Sequence, residues 1–254
     1  MTQHFNEISA SYNELRTTDP EPIDYIKEQL SGKETIRGVD IGCGSGRYDL
    51  LMLQKIPDLH LTCTDLNKAM VDETEKYLRN HGQCSFTTKV MDAEKMDISP
   101  GSLDFVSSFN AIHHFSLPTF VENASKVLNN NGRIFIYTRL QSQNRQSIWG
   151  KYFPKFTEKE NRLLELAQVD NLSDQIVSAR LESIRFFQFK RDSSLKQLIG
   201  QAEGKHYSTF SLYSDDEFRA ALLEFEENIQ KIFSDLDKVE WLDENVLFTF
   251  CNNL

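Results

Sequence analysis

The chain reads as an α/β protein built on an open parallel sheet. Apolar, β-rich runs alternate with amphipathic helical runs from residue 35 to about 138. A glycine turn, Gly42-Cys43-Gly44-Ser45-Gly46, joins the first strand to the first helix of that series. No Pro/Gly/Ser-rich linker interrupts the 254 residues, so residues 1–254 are expected to form one domain. Strand–helix alternation of this kind implies parallel pairing through right-handed crossovers.

Taken in order, residues 4 to 31 predict two short helices split by Thr18-Asp19-Pro20-Glu21-Pro22. Tyr12 and Arg16 lie one turn apart on the first, and residues 1–32 are expected to form a lid. Thr35 to Ile41 is a strand and Tyr48 to Gln54 a helix. His60 to Thr64 is a strand ending at Asp65, and Lys68 to Asn80 a helix stopped by Gly82. Ser85 to Val90 and Leu103 to Phe109 are the next strands. Pro118 to Leu128 is a helix, Asn129 to Gly132 a turn, and Ile134 to Tyr137 a fifth strand. The alternation then breaks. Helices are expected over Thr157 to Gln168, Ser173 to Leu181 and Leu195 to Glu203. Another runs from Ser214 to Phe233, opened by a Ser214/Glu217 capping box. Ile184 to Phe189 and Val246 to Phe250 are strands. The core is thus expected over 33–140, with inserted helices at 141–182 and 191–240.

Hydrophobic residues make up 39% of the chain and charged residues 26%, the profile of a globular protein with a sizeable core. A net charge of −10 weighs against nucleic acid as the main partner, because phosphate recognition needs clustered Lys and Arg. Cys43, Cys63, Cys84 and Cys251 stand singly, without a C-x-x-C pair, so reduced thiols and no metal site are expected. No signal-peptide pattern opens the chain and no apolar stretch is long enough to span a bilayer, which predicts a cytoplasmic protein with no membrane partner. Oligomeric state leaves no trace in the pattern.

In an open parallel sheet, ligands bind past the carboxyl ends of the strands. The residues there are Gly42 to Gly46, Asp65, Asp92, Asn110 and Thr138. Glycines at alternate positions let the main chain turn tightly and approach a ligand, while the following helix aims free N–H groups at the same space. Asp65 falls about twenty residues after the turn, where an acid accepts from ribose hydroxyls, and Asp92 ends the third strand at the same level. A single Asp after a strand is more often a turn former; two beside a glycine turn favour a ligand. The glycine spacing is G-x-G-x-G, with Arg47 where a dinucleotide fold has its third glycine. Asp40, just before the turn, would repel a pyrophosphate and accept a cation. Together these favour an ammonium- or sulfonium-bearing ligand over NAD.

Val39-Asp40-Ile41-Gly42-Cys43-Gly44-Ser45-Gly46 resembles the first motif of class I S-adenosylmethionine-dependent methyltransferases. The segments Met91-Asp92-Ala93-Glu94, Phe109 to Phe115 and Val127 to Arg133 resemble those after the family's third and fourth strands and before its fifth. The resemblance covers about residues 35 to 140, with Asn130-Asn131-Gly132 departing from the usual Pro-Gly-Gly. It implies a Rossmann-like seven-stranded sheet, mostly parallel, with strand seven antiparallel between five and six. It also implies S-adenosyl-L-methionine as cofactor and S-adenosyl-L-homocysteine as product. The residues expected at the cofactor are Asp40, Gly42, Cys43, Gly44, Gly46, Asp65, Leu66, Asp92, Ala93 and Asn110, with Tyr12 and Arg16 from the lid. Phe5, Tyr12, Asn13, Glu14, Leu15 and Arg16 resemble the lid helix of members acting on small molecules.

The implied reaction is transfer of the sulfonium methyl to a small-molecule acceptor, catalysed largely by alignment and exclusion of water. His113 and His114 lie where a base would reach a protonated acceptor, against the plainer reading that they pack and border the site. No Asn-Pro-Pro-aromatic or Asp-Pro-Pro-aromatic run follows the fourth strand, which argues against nucleobase amines and glutamine amides. Trp149 to Phe156, with Tyr207, Phe210 and Tyr213, forms either core beneath the inserted helices or an apolar acceptor pocket. Two other functions stay open: a non-catalytic cofactor-binding module, and a nicotinamide-dependent oxidoreductase.

Overall fold

The structure is a computed structural model describing residues 17–173 and 176–253. The expected first helix, with Tyr12 and Arg16, lies outside these residues. The elements run α1 (Glu21–Gln29), β1 (Ile36–Ile41), α2 (Arg47–Lys55), β2 (Leu59–Asp65), α3 (Lys68–Asn80), β3 (Phe86–Val90), β4 (Leu103–Phe109), α4 (Leu117–Val127) and β5 (Leu128–Thr138). There follow α5 (Gln141–Gln146), α6 (Ile148–Tyr152), α7 (Phe156–Lys159), α8 (Leu166–Ser173), β6 (Ala179–Ser193), α9 (Leu195–Glu203), α10 (Asp215–Ile232) and β7 (Val239–Asn252). Short 3-10 turns sit at Ile112–His114 and Ser208–Leu212.

The seven strands form one sheet in the order β3-β2-β1-β4-β5-β7-β6. Strands β1 to β5 pair in parallel, and β7 runs antiparallel to both β5 and β6. This is the Rossmann-like arrangement expected. The order reverses between β1 and β4, which opens a crevice at their carboxyl ends.

Both faces of the sheet are buried, so alternate residues of one strand enter different cores. Ile134 and Ile136 of β5 join Val39, Val106 and Phe248 under α4, whose Phe120, Val121 and Ala124 are wholly buried. Phe135 and Tyr137 face the other way, with Phe105, Leu247 and the apolar sides of α1 and α2. A third cluster is built by the insertions: Trp149 and Phe153 pack with Leu198, Phe210, Phe225 and Ile229. Ser214 caps α10 with the predicted box.

Three expectations are corrected. Residues 157–168 are not one helix: α7 ends at Lys159, because the Glu160 side chain is buried against Arg162 instead of facing solvent. The helix expected over 173–181 is not present from residue 176 onward, since β6 already begins at Ala179, which pairs with Asn252. Both β6 and β7 run well past the short strands expected, pairing as far as Ser193 with Val239. Of the four free cysteines only Cys63 is buried; Cys43 and Cys251 are half-buried and Cys84 exposed. Among the described residues no helix is long and apolar enough to cross a membrane, and no group of His, Cys, Asp and Glu is placed to hold a metal.

Candidate active site

The glycine turn is strapped to the end of β2. Gly42 and Cys43 both donate N–H to the Thr64 carbonyl at 2.8 Å, and the Gly44 N–H donates to Asp65 Oδ2 at 3.1 Å. Asp65 Oδ1 accepts from the Asn67 N–H at 2.8 Å, while Thr74 Oγ1 donates to the Gly44 carbonyl at 2.6 Å. Gly42 has φ +75° and its backbone lies against Ala111, so a Cβ there would stand 2.6 Å from the Ala111 Cβ. Gly46, at φ +83°, is the N-cap of α2. Sequence-adjacent residues thus place Asp65 beside the loop with its carboxylate half committed to main-chain N–H groups.

Asp40 is 1% exposed, at the floor of the turn. Its Oδ1 accepts from Ser107 Oγ at 2.6 Å, and Thr64 Oγ1 donates to its carbonyl at 2.9 Å. Burial raises the Asp40 carboxyl well above the usual carboxylate range, and the charge of Asp49 adds to this; the Ser107 hydroxyl offsets it only in part. Burial also raises Asp65, against the Asn67 and Gly44 N–H groups. A buried acid with one hydroxyl partner and, among the described residues, no cation beside it is an acceptor that an ammonium group would complete.

Asp92 Oδ1 accepts from the Glu94 N–H at 2.9 Å, so it forms the turn after β3 while lining the cavity. Ala93 is buried beside it, and Leu66 is 64% exposed at the rim beyond Asp65. Asn110 takes a left-handed conformation, φ +55°, and donates its N–H to the Tyr137 carbonyl at 2.7 Å. That strained bend turns the chain out of β4 toward the crevice. His113 and His114 follow on the 3-10 turn with ring centroids 4.0 Å apart; His113 is half-buried, His114 exposed, and both line the cavity.

Of the predicted site residues that the structure describes, all but Gly46 line one cavity of about 530 Å³, within the range of small-molecule sites. Its far end is walled by Arg139, by the insertions and by the protruding ends of β6 and β7. Trp149, Phe156 and Tyr207 line it, whereas Phe153, Phe210 and Tyr213 are core. The aromatic patch is therefore divided between the two readings.

The far end also holds charged residues that the sequence did not single out. Arg139, just past β5, contacts Asp243 Oδ2 at 3.0 Å and donates through Nε to Asn245 Oδ1 at 3.1 Å. Burial works against its charge, but Tyr207 and Asp243 more than compensate, so Arg139 stays a cation. Arg191 donates to both oxygens of Asp19 at 2.7 Å and lies 3.8 Å from Asp243. Glu160 accepts from Arg162 Nε at 2.8 Å and Nη2 at 2.5 Å, and from Thr209 Oγ1. The His206 Nδ1 lies 2.8 Å from the Gln201 carbonyl; donating there leaves Nε2 as the proton-accepting nitrogen. The signal was a charged residue directly after a strand, at Arg139; Arg191, between Lys190 and Asp192, and Asp243, before Glu244 and Asn245, sit in polar stretches that carry none.

A family model described as "Methyltransferase domain" matches residues 39–132, the stretch from β1 into β5, whose start at Leu128 takes up the turn expected over Asn129 to Gly132. A protein of Dictyostelium discoideum, provisionally named a methyltransferase, is 26% identical over 137 residues, 53% of this chain. The match spans 48% of that protein, about half its length. Among solved structures, one from Anabaena variabilis is provisionally titled a methyltransferase from an antibiotic biosynthesis pathway. It superposes with a TM-score of 0.69 at 20% identity, over 94% of this chain and 99% of its own. A phosphoethanolamine N-methyltransferase of Haemonchus contortus, solved with phosphomonomethylethanolamine and S-adenosylhomocysteine, gives a TM-score of 0.56. The identity is 17%, over 91% of this chain and 52% of the other. These likenesses are of fold. The motif residues and the family model converge on residues 39–132, and the strand order is that of the methyltransferase structures the chain resembles, so this stretch matches a methyltransferase domain on a Rossmann-like fold.

Proposed function

We propose that the protein transfers a methyl group from S-adenosylmethionine to a small-molecule acceptor held under the inserted helices. The observation that carries this reading is a single cavity with two chemically different ends. One end is the glycine loop with Asp40, Asp65 and Asp92; the other is an aromatic and ion-paired wall.

The residues fit the cofactor. Asp40, buried without a cation, would hold the ammonium of the methionine part. Asp65 has lone-pair capacity left beyond its main-chain N–H partners to accept ribose hydroxyls, and Asp92 with Ala93 would border the base. Gly42, Cys43 and Gly44 would supply the close main-chain approach, with Gly46 turning the chain into α2, and Leu66 and Asn110 the flanks; Tyr12 and Arg16, expected as a lid contact, lie outside the described residues. When bound, the cofactor supplies a methyl already activated by its sulfonium. The protein is left to align the acceptor and to keep water out. His113 and His114, which line the cavity, would take a proton where the acceptor carries one.

Calorimetry with S-adenosylmethionine, S-adenosylhomocysteine and NAD tests the cofactor. Binding of the first two and none of NAD is expected; the reverse would restore the oxidoreductase reading. Asp65→Ala should weaken S-adenosylhomocysteine about 10- to 100-fold, since ribose hydroxyls lose a charged partner; unaltered affinity would mean the site is misplaced. Methyl transfer to a panel of acceptors separates an enzyme from a non-catalytic binding module.

A further inference from the structure

We propose that the acceptor is an uncharged molecule carrying a hydroxyl, that Trp241 and Asp243 receive this hydroxyl, and that the site turns away carboxylates and phosphates. The proposal rests on the methyltransferase reading, because it concerns the far end of the same cavity.

The charge arrangement supplies the exclusion. Every arginine at that end already has a carboxylate partner: Arg139 has Asp243, Arg191 has Asp19, and Arg162 has Glu160. Three cations meet three anions, Asp192 on the cavity wall adds a further negative charge, and among the described residues no lysine lines the cavity. An anionic acceptor would therefore enter a desolvated space holding fixed acids and, among the described residues, no uncommitted cation. Burying an unpaired charge there is disfavoured by both desolvation and repulsion. Such an arrangement discriminates by penalising the wrong partner.

Two orphaned atoms supply the recognition. Trp241 Nε1 and Asp243 Oδ1 are buried, neither makes a hydrogen bond, and both residues line the cavity. They stand two apart on β7, where it pairs with β6 beyond the body of the sheet (Trp241 opposite Arg191, Asp243 opposite Phe189), and so they share one face. Buried polar atoms without partners are rare enough in folded proteins to require a reason. One of this pair only donates and the other only accepts. A hydroxyl does both, and so answers both without bringing a charge. The Oδ2 of the same Asp243 is held by Arg139 at 3.0 Å, which fixes the carboxylate so that Oδ1 is the oxygen left for a ligand. Tyr207, Trp149 and Phe156 give the rest of the acceptor an apolar wall.

The test uses the full chain saturated with S-adenosylhomocysteine and four probes that share one ring: para-cresol, para-toluate, para-tolyl phosphate and para-methylbenzylamine. Binding is followed by ligand-observed NMR. Para-cresol should bind, and the two anions should bind at least ~100-fold more weakly. Trp241→Phe keeps the volume but removes the donor, and should weaken para-cresol about tenfold with S-adenosylhomocysteine affinity unchanged. Asp243→Asn should also weaken para-cresol, yet strengthen para-toluate about tenfold, because Arg139 and Arg191 lose a counter-charge. A purely structural role for Asp243 would weaken both. The proposal is overturned if para-toluate, para-tolyl phosphate or the amine binds as well as para-cresol. It is equally overturned if para-cresol fails to bind a chain that holds S-adenosylhomocysteine. Failure of S-adenosylhomocysteine itself to bind would overturn the cofactor assignment instead.

Discussion

Asp49, in the first turn of α2, gives the most exacting prediction. It is wholly buried, and neither carboxyl oxygen makes a hydrogen bond of ordinary geometry. Burial pushes its pKa from 3.8 up to about 7, with the Cys63 thiol and its own backbone N–H offsetting only part of the cost. The consequence for stability has a definite sign. Below about pH 4 the side chain is protonated in both folded and unfolded chains and contributes nothing to the slope. Between 3.8 and about 7 the unfolded chain has released its proton and the folded chain has kept it, so stability falls as pH rises. Above about 7 both are ionised and the full cost is present. The gap between 3.8 and about 7, at about 1.4 kcal/mol per pH unit, amounts to about 4 kcal/mol. Asp49→Asn preserves the shape and removes the titration. Its buried amide carries a constant cost of about 1–3 kcal/mol, which shifts the comparison but not its slope. Urea unfolding of both proteins across that pH range should therefore show the variant gaining on the parent by up to about 4 kcal/mol. A difference that stays flat with pH would refute the reasoning, for it would mean that Asp49 is ionised in the folded protein throughout.

Two further outcomes follow from the packing. Gly42→Ala should lower stability by about 1–3 kcal/mol and weaken S-adenosylhomocysteine, read by thermal unfolding and calorimetry. The added Cβ meets Ala111 at 2.6 Å in a left-handed backbone; wild-type affinity would show that the loop is not the cofactor's bed. Phe225→Ala removes a wholly buried ring stacked on Trp149 at 5.0 Å and should cost about 3–5 kcal/mol. Because its cluster is separate from the two sheet cores, cofactor affinity at low temperature should survive while acceptor methylation falls; parallel loss of both would contradict that separation.

The cofactor half of the site was legible because it is local. Gly42 to Gly46, Asp65, Asp92 and Asn110 each stand at a strand end, and strands buried on both faces announce themselves as apolar runs. Leu103–Phe109 and Lys68–Asn80 match the pattern residue for residue. Sheet order was carried by family resemblance rather than periodicity, since no local pattern says that β7 enters between β5 and β6.

The acceptor half was illegible for the opposite reason. Asp19, Arg139, Arg191 and Asp243 come from four distant parts of the chain and meet only once the sheet has formed. The outer parts of β6 and β7, which carry Arg191, Trp241 and Asp243, are flanked by cavity, by solvent and by the small cluster of the insertions instead of by the two sheet cores, so their residues do not alternate cleanly. Charges there made the strands look shorter than they are. The same charges are what a binding wall needs: Asp243 is tolerated in a strand because Arg139 and Arg191 neutralise it, and Arg191 because Asp19 grips it. Local pattern fails where a strand stops serving the core and begins to serve a ligand. The point of failure, Val239 to Asn245, coincides with the cavity wall made by Trp241, Asp243 and Asn245, where the proposed acceptor would be received.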